Sequence, residues 1–180
     1  MLDVQLGARL AAQVEAATGY KVMGFWDIGL RHISSRTPIR TPADCVGKAI
    51  RTLANEGHQR VFRALGFEPK TIDVRDLPDA VRSGTVDAQE NPLTNIFNFG
   101  IYDVHRHITL TRHLLGVAMV LFNKDAVARW PGTVRAGVER AVAEATLAQR
   151  RFAEEDDTIC ADALRKEGVE IIELSDAQRD

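Results

Sequence analysis

The sequence predicts an α/β protein, in which strands and helices alternate along the chain. The first observation is a strand–helix–strand–helix–strand pattern between Lys48 and Gln89, which is typical of parallel βαβ units. The second is a strongly helical stretch from Gly132 to Glu167, where apolar residues keep to one face. The third is the composition, 45% hydrophobic and 27% charged over 180 residues, which suits one globular unit with a real core.

Before Lys48 the predicted elements are a helix, a strand and a loop. Apolar residues recur at helical spacing at Leu2, Leu6, Leu10 and Val14. They predict an amphipathic helix that ends near Gly19. Tyr20 to Trp26 is predicted as a buried strand, and the polar stretch Asp27 to Pro38 as a loop. Thr41 to Asp44 has the hydroxyl, proline and carboxylate of a helix start.

The alternating region is predicted as three strands and two helices. The strands are Lys48–Leu53, Lys70–Val74 and Thr85–Gln89, and the helices are Glu56–Leu65 and Asp76–Ser83. Gly66 and Gly84 supply left-handed helix ends, and Asp76 is predicted to cap the second helix.

The last part of the chain is predicted as two strands, a long helix and a closing strand. In order, these are His107–Leu110, Gly116–Asn123, Gly132–Glu167 and Val169–Leu174. Unbroken, the helix would be about 50 Å long at 1.5 Å per residue.

Charge and composition exclude several classes of protein. A net charge of −2 argues against a nucleic-acid binder, which normally has a basic excess. The longest apolar run, Leu114 to Phe122, is far shorter than the roughly 20 residues of a membrane helix. Cys45 and Cys160 are too few and too distant for a metal or redox motif, so we expect two buried thiols. The N-terminal residues do not form a signal peptide, so we expect a cytoplasmic chain or a piece of a longer precursor.

No familiar catalytic motif is present in the sequence. His105 and His107 would share one face of a strand, but a metal site there needs a further ligand, so solvated loop histidines are favoured. The carboxylate pairs Asp73–Asp76 and Asp87–Glu90 support acid–base chemistry only weakly, because acidic residues are common in this chain.

Arg31, Arg51 and Asn91 lie on predicted strands or just after them. Ligands of open α/β sheets bind beyond the carboxyl ends of the strands, where a guanidinium can hold a carboxylate with two hydrogen bonds. Taken alone, Arg51 is better explained by a salt bridge to a nearby carboxylate, and Arg31 by ordinary surface exposure.

Several ordered motifs together point to one family. They are Gly29-Leu30-Arg31, Pro38-Ile39, Thr41-Pro42-Ala43-Asp44, Ile50-Arg51, the segment ALGFEP at 64–69, and SGTVDAQENP at 83–92. The sequence from Gly19 to Leu174 closely resembles the substrate-binding proteins of tripartite ATP-independent periplasmic (TRAP) transporters, of the DctP type.

The resemblance implies a receptor that captures a small carboxylate in the periplasm and delivers it to a TRAP membrane permease. Arg51 matches the principal carboxylate-binding arginine, Arg31 a second arginine, and Asn91 an amide that helps to hold the carboxylate. No cofactor is implied, and Asn91-Pro92 replaces the Glu-Trp pair of a metal-dependent branch, so no metal is expected. Ala88 and Val74 depart from the family pattern at positions that usually carry glycine and an aromatic residue.

The resemblance also implies a periplasmic-binding-protein-like two-lobed fold, present here mostly as the second lobe with a return strand and a long hinge-spanning helix. The expected parts are a residual first-lobe helix and strand at 1–28, the ligand-binding lobe at 29–112, and the return strand, long helix and C-terminal strand at 113–180. Such an N-terminally truncated chain is expected to bind weakly and to self-associate. The alternative is a small α/β enzyme that clamps a carboxylate substrate with Arg51 and Arg31, with His113 or Glu90 as the base.

Overall fold

The computed structural model describes residues 5–179, which form seven α-helices and six β-strands. The helices are α1 (Gln5–Ala17), α2 (Glu56–Ala64), α3 (Leu77–Arg82), α4 (Leu93–Asn98), α5 (Lys124–Ala128), α6 (Gly132–Lys166) and α7 (Asp176–Arg179). The strands are β1 (Tyr20–Ser35), β2 (Ala49–Thr52), β3 (Glu68–Thr71), β4 (Ala88–Asn91), β5 (His107–Asn123) and β6 (Glu170–Ile172). Leu2, which begins the predicted first helix, lies outside the described residues. No helix within 5–179 combines the length and apolarity that a membrane span requires.

The six strands form one sheet in the order β3-β2-β4-β1-β5-β6. Strand β2 runs parallel to both β3 and β4, as the alternating pattern predicts, whereas β1 pairs antiparallel with β4. Strands β5 and β6 are parallel. The predicted α/β class is confirmed, and the sheet is mixed.

The chain divides into two compact units. The first contains the residues up to Ile28 together with Gly116–Glu155, and the second contains Gly29–Leu115 together with the residues from Asp156. The predicted three-part division at 1–28, 29–112 and 113–180 stays a prediction.

In the first unit, helix α6 packs closely against strand β1. Thr146 Oγ1 accepts a hydrogen bond from Trp26 Nε1 at 3.1 Å and donates one to Val142 O at 2.7 Å. Gly24 lies beside this pair, and a Cβ there would be 2.9 Å from Thr146 Oγ1. The absence of a side chain at Gly24 therefore permits the contact.

The second unit has two apolar clusters, to which neighbouring β2 residues contribute alternately. One cluster contains Ile50 together with Ile33, Ile39, Cys45, Phe62, Phe67 and Ala88. The other contains Ala49 and residues from α3, α4, β5 and the end of α6. Since alternate strand residues point to opposite faces, the two clusters cover the two faces of the sheet. Cys45 and Cys160 are free, buried and in different clusters, as expected.

The main error of the sequence prediction is the loop at Asp27–Pro38, because β1 continues to Ser35. Its last five residues, 31–35, are buried although four of them are polar or charged. Backbone pairing with β4, which joins His32 to Asn91 and Ser35 to Ala88, holds this segment in the sheet. Polarity predicts exposure, and tertiary pairing overrides it here.

Three smaller predictions are also wrong. The two strands predicted at 107–110 and 116–123 are one strand, β5, which contains Arg112 at a φ of 50°. The helix start at Thr41–Asp44 leads only to the single 3-10 turn Pro42–Cys45. Asp76 precedes α3 but its side chain makes no capping hydrogen bond.

Candidate functional site

The structure brings Arg31, Arg51 and Asn91 together on three neighbouring strands of the second unit, β1, β2 and β4. In the sheet register Arg51 lies beside Gln89, and Asn91 follows two residues later on the same face. All three predicted residues are buried. Arg31 is therefore not the exposed arginine that its local sequence suggests.

Arg31 is bound to Glu90. Its Nε donates to Glu90 Oε2, and its Nη2 donates to Glu90 Oε1 and to the Glu90 carbonyl oxygen, both at 2.8 Å. Burial alone would raise the pKa of Glu90, but hydrogen bonds from His113 and Arg31 outweigh it and lower the pKa. Glu90 is therefore a carboxylate held in its charged form.

Asn91 connects this ion pair to Gln89 and Asn95. Its Oδ1 accepts hydrogen bonds from Arg31 Nη2 at 3.0 Å and from Asn95 Nδ2 at 3.2 Å. Its Nδ2 donates to Gln89 Oε1 at 2.6 Å. Asn91 thus orients Arg31 and Gln89, and both ends of its amide are engaged.

Arg51 is the arginine that keeps hydrogen-bond donors available for a ligand. It is 2% exposed, and its Nε donates to the carbonyl oxygen of Ile72 at 2.8 Å. Among residues 5–179 its two terminal nitrogens have no hydrogen-bond partner. Burial lowers the pKa of Arg51, although an arginine remains protonated in proteins. A fixed, charged fork with two unused donors fits the two oxygens of a carboxylate.

The charges around Arg51 favour an anion. Glu90 is a buried carboxylate that attracts Arg51, and it is already paired with Arg31. Asp73 also attracts Arg51, but it lies on the surface and pairs with Arg75 at 3.0 Å. The two buried guanidinium groups are thus accompanied by a single buried carboxylate, which Arg31 already binds, so Arg51 has no buried counter-ion of its own among the described residues.

The structure adds two histidines, His58 and His113, on the same side of Glu90. His113 Nε2 lies 3.4 Å and His58 Nε2 3.7 Å from Glu90 Oε2. From the sequence, His113 and Glu90 are candidates only as enzyme bases, and His58 is not among the predicted site residues. The sequence signal that could have identified His58 is its position three residues after Asn55, in the first turn of α2. There Asn55 Oδ1 accepts a hydrogen bond from the His58 backbone nitrogen at 2.9 Å.

His105 and His107 do not form the pair that their spacing suggests. His105 precedes β5 and is fully buried, with Nδ1 3.1 Å from Ser34 Oγ. His107 begins β5, and its Nδ1 lies 2.9 Å from Glu170 Oε2. The expectation of solvated loop histidines is wrong for His105, because its ring completes a buried network with Ser34 and Gln89.

Comparison with known proteins gives one family. Residues 1–180 match the family described as bacterial extracellular solute-binding protein, family 7 (DctP). The chain is 31% identical over 177 residues to the C4-dicarboxylate-binding periplasmic protein DctP of Rhodobacter capsulatus, which covers 97% of this chain and 53% of the relative. It spans between 33% and 53% of the length of the first three curated relatives that it matches.

Solved structures agree with this match. A TRAP periplasmic solute-binding protein from Roseobacter denitrificans with bound β-D-glucuronate is 26% identical, with a TM-score of 0.92, 99% of this chain covered and 59% of that one. The sugar acid binding protein DctPAm from Advenella mimigardefordensis, in complex with galactonate, is also 26% identical, with a TM-score of 0.92, 99% of this chain covered and 57% of that one.

Proposed function

This chain belongs to the DctP family of bacterial extracellular solute-binding proteins, family 7, and on that basis we propose that it is part of a TRAP solute receptor for a small organic acid. The observation that carries the proposal is Arg51, a buried guanidinium with two unpartnered terminal nitrogens. Arg51 binds the ligand carboxylate, Arg31 lies beside it in its pair with Glu90, and Asn91 holds Arg31 in place. The family is one of binding proteins and not of enzymes.

Two observations support a carboxylate as the ligand. A buried guanidinium without an anion is costly, so an acidic ligand is favoured over a neutral one. The relatives named above are described as binding C4-dicarboxylate, β-D-glucuronate and galactonate. These ligands share a carboxylate and differ in the rest of the molecule, which is the part that Arg51 does not select.

We also propose that the complete receptor acts in the periplasm and passes its ligand to a TRAP permease. The matched relatives are about twice as long as this chain, and we propose that a portion corresponding to their remaining length completes the binding cleft. Efficient pockets bury 70–90% or more of a small ligand. The choice among organic acids would then depend on that portion as well as on Arg51.

The enzyme alternative has less support. Glu90 is tied to Arg31 by hydrogen bonds to both of its carboxylate oxygens, and its pKa is lowered. A general base works best with a pKa near the working pH. Glu90 is therefore poorly suited to abstract a proton.

The proposal is tested by titrating the 180-residue chain with galactonate and, separately, with galactitol, the neutral polyol of the same length. Two-dimensional NMR reports even millimolar binding, and the Arg51 Nε–H signal belongs to the same guanidinium as the terminal nitrogens proposed to contact the ligand. We expect galactonate to shift this signal in a saturable way and galactitol to leave it unchanged. Equal or larger shifts with galactitol would refute carboxylate recognition.

A further inference from the structure

We propose that His58, Glu90 and His113 form a binding site for a divalent transition metal, for which zinc is the natural probe. Among the residues that the structure describes, these three are the only group of three histidine, cysteine or acidic side chains placed to hold a metal ion. The site does not require the small organic acid to bind, so this inference does not rest on the proposed function.

The spacing of the three donor atoms suits a tetrahedral ion. Glu90 Oε2 lies 3.4 Å from His113 Nε2 and 3.7 Å from His58 Nε2, and one ligand atom from each residue lies within 4.8 Å of the others. Zinc binds imidazole nitrogen and carboxylate oxygen at roughly 2.0–2.2 Å, which places tetrahedral ligand atoms about 3.3 Å apart. Small side-chain rotations would bring the three atoms onto one ion.

The ring nitrogens of His58 have no hydrogen-bond partner in the described part of the chain. Both nitrogens are buried. A buried polar atom without a partner is unusual and unfavourable. The ring is nevertheless held in place, because it packs edge-on against Phe62 with ring centroids 5.0 Å apart. A metal ion at Nε2 would supply the missing partner without moving the backbone.

The other two ligands already have the supporting contacts that metal ligands need. Thr111 Oγ1 lies 2.7 Å from His113 Nδ1 and can accept a hydrogen bond from Nδ1–H. In that tautomer the Nε2 atom carries no proton and can bind metal. Arg31 donates to both carboxylate oxygens of Glu90 and fixes their orientation. Such outer contacts set the tautomer and direction of ligands in known metal sites.

The site is accessible and retains an open coordination position. His58 and His113 line a cleft of about 310 Å³ together with Leu53, Asn55, Gly57, Val61 and Leu114. Two histidines and one carboxylate leave a fourth tetrahedral position for water or another ligand, as in open zinc sites. Because Arg31 already compensates the charge of Glu90, we expect weaker binding than in a closed structural zinc site.

The test is calorimetric titration of the EDTA-treated 180-residue chain with zinc chloride in a buffer that does not bind metal. We expect saturable binding of one ion, lost in His58→Ala and in His113→Ala. His107→Ala is the matched control, since His107 is a histidine of the same unit that pairs with Glu170 outside the cluster. It should bind zinc like the unaltered chain.

A second variant distinguishes loss of zinc binding from loss of folding. Thr111→Val keeps all three ligands but removes the contact to His113, and it should weaken zinc binding by about 10–100-fold. Cobalt(II) should give the visible absorption of a tetrahedral nitrogen–oxygen site, and this should be absent in His113→Ala. The proposal is overturned if the unaltered chain shows no saturable binding, or if folded His58→Ala and His113→Ala bind zinc as tightly as His107→Ala.

Discussion

Arg31 and Glu90 form a buried ion pair in which one guanidinium holds both carboxylate oxygens and the Glu90 carbonyl. The two side chains are only 9% and 0% exposed. The consequence is a division of roles between the arginines of the site. Arg31 is neutralised within the protein, whereas Arg51 keeps its charge and its terminal donors for a ligand.

Breaking the Arg31–Glu90 pair should strongly destabilise the fold. Glu90→Gln leaves a buried guanidinium without its counter-ion, and Arg31→Met leaves a buried carboxylate, so each should cost about 3–5 kcal/mol. The double variant should cost less than the sum of the two, as measured by urea unfolding. Arg82→Ala, which breaks the exposed pair with Asp79, is the control and should cost at most about 1 kcal/mol. Additive losses at Arg31 and Glu90 would show that the pair is not coupled.

Arg51 should dominate carboxylate binding. Arg51→Ala should weaken the binding of galactonate by about 2 kcal/mol or more, and Arg51→Lys should also weaken it substantially, because an ammonium cannot form the two parallel hydrogen bonds. NMR titration of each variant measures the effect, with Arg82→Ala as the folded control. A lysine variant that binds as tightly as the unaltered chain would contradict the assignment.

His105 should make the fold sensitive to acid. The pKa of His105 is lowered to about 3. Burial is the largest cause, Arg36 acts in the same direction, and Asp87 opposes the change. The unfolded chain therefore binds a proton that the folded chain excludes between about pH 6.5 and pH 3. The free energy of unfolding should fall by up to about 1.4 kcal/mol per pH unit as the pH drops through this window. His105→Gln should flatten that slope in urea unfolding between pH 6 and 4, and an unchanged slope would exclude His105 as the cause.

Two glycine-to-alanine changes in the first unit should have opposite effects. Gly24→Ala places a methyl group 2.9 Å from Thr146 Oγ1, and such overpacking should cost about 1–3 kcal/mol. Gly137→Ala adds a methyl group within α6, where no atom beyond the adjoining helix backbone lies within 4 Å, and should stabilise the fold by about 0.5–1 kcal/mol. Thermal unfolding compares the two directly. The same sign for both would contradict the packing between α6 and β1.

The 180-residue chain should self-associate through β5. Val117, Met119 and Leu121 alternate along this strand and are between 36% and 43% exposed, which leaves a row of apolar side chains in water. Light scattering should give a mass above 19.9 kDa, and the double change Met119→Lys and Leu121→Lys should restore that value. Val46→Lys, at an exposed apolar residue of the second unit, should not. A clean monomer of the unaltered chain would exclude the prediction.

Local sequence patterns predict helices α2 and α6, because nearby residues determine where these helices lie. Helix α2 follows its capping residue Asn55 and ends at Ala64, two residues before Gly66, whose φ is 98°. Helix α6 is unbroken from Gly132 to Lys166, because its apolar periodicity is continuous. It ends one residue before the predicted position. Each of these signals lies within a few residues of the feature that it sets, so a single sequence suffices to find them.

The site depends on contacts between distant residues, which local patterns do not report. The end of β1 is buried because Arg31 meets Glu90, which is 59 residues away in sequence. His58 and His113 likewise meet only through folding, with ring centroids 6.2 Å apart. The family resemblance identified Arg51, Arg31 and Asn91 as candidates, but not the commitment of Arg31 to Glu90 or the unpartnered ring of His58.

The strand order of the sheet also bears on how the chain acquires its binding site. Paired residues are 19 apart in sequence between β2 and β3 and 38 apart between β2 and β4, whereas they are 53 to 59 apart between β1 and β4. Pairings between distant segments form more slowly, because closing a longer loop costs more entropy. During refolding, Arg51 would therefore be seated in its parallel sheet before β1 arrives with Arg31. An intermediate at that stage would carry Glu90 without its partner Arg31, so the buried ion pair should be among the last contacts that a refolding chain regains.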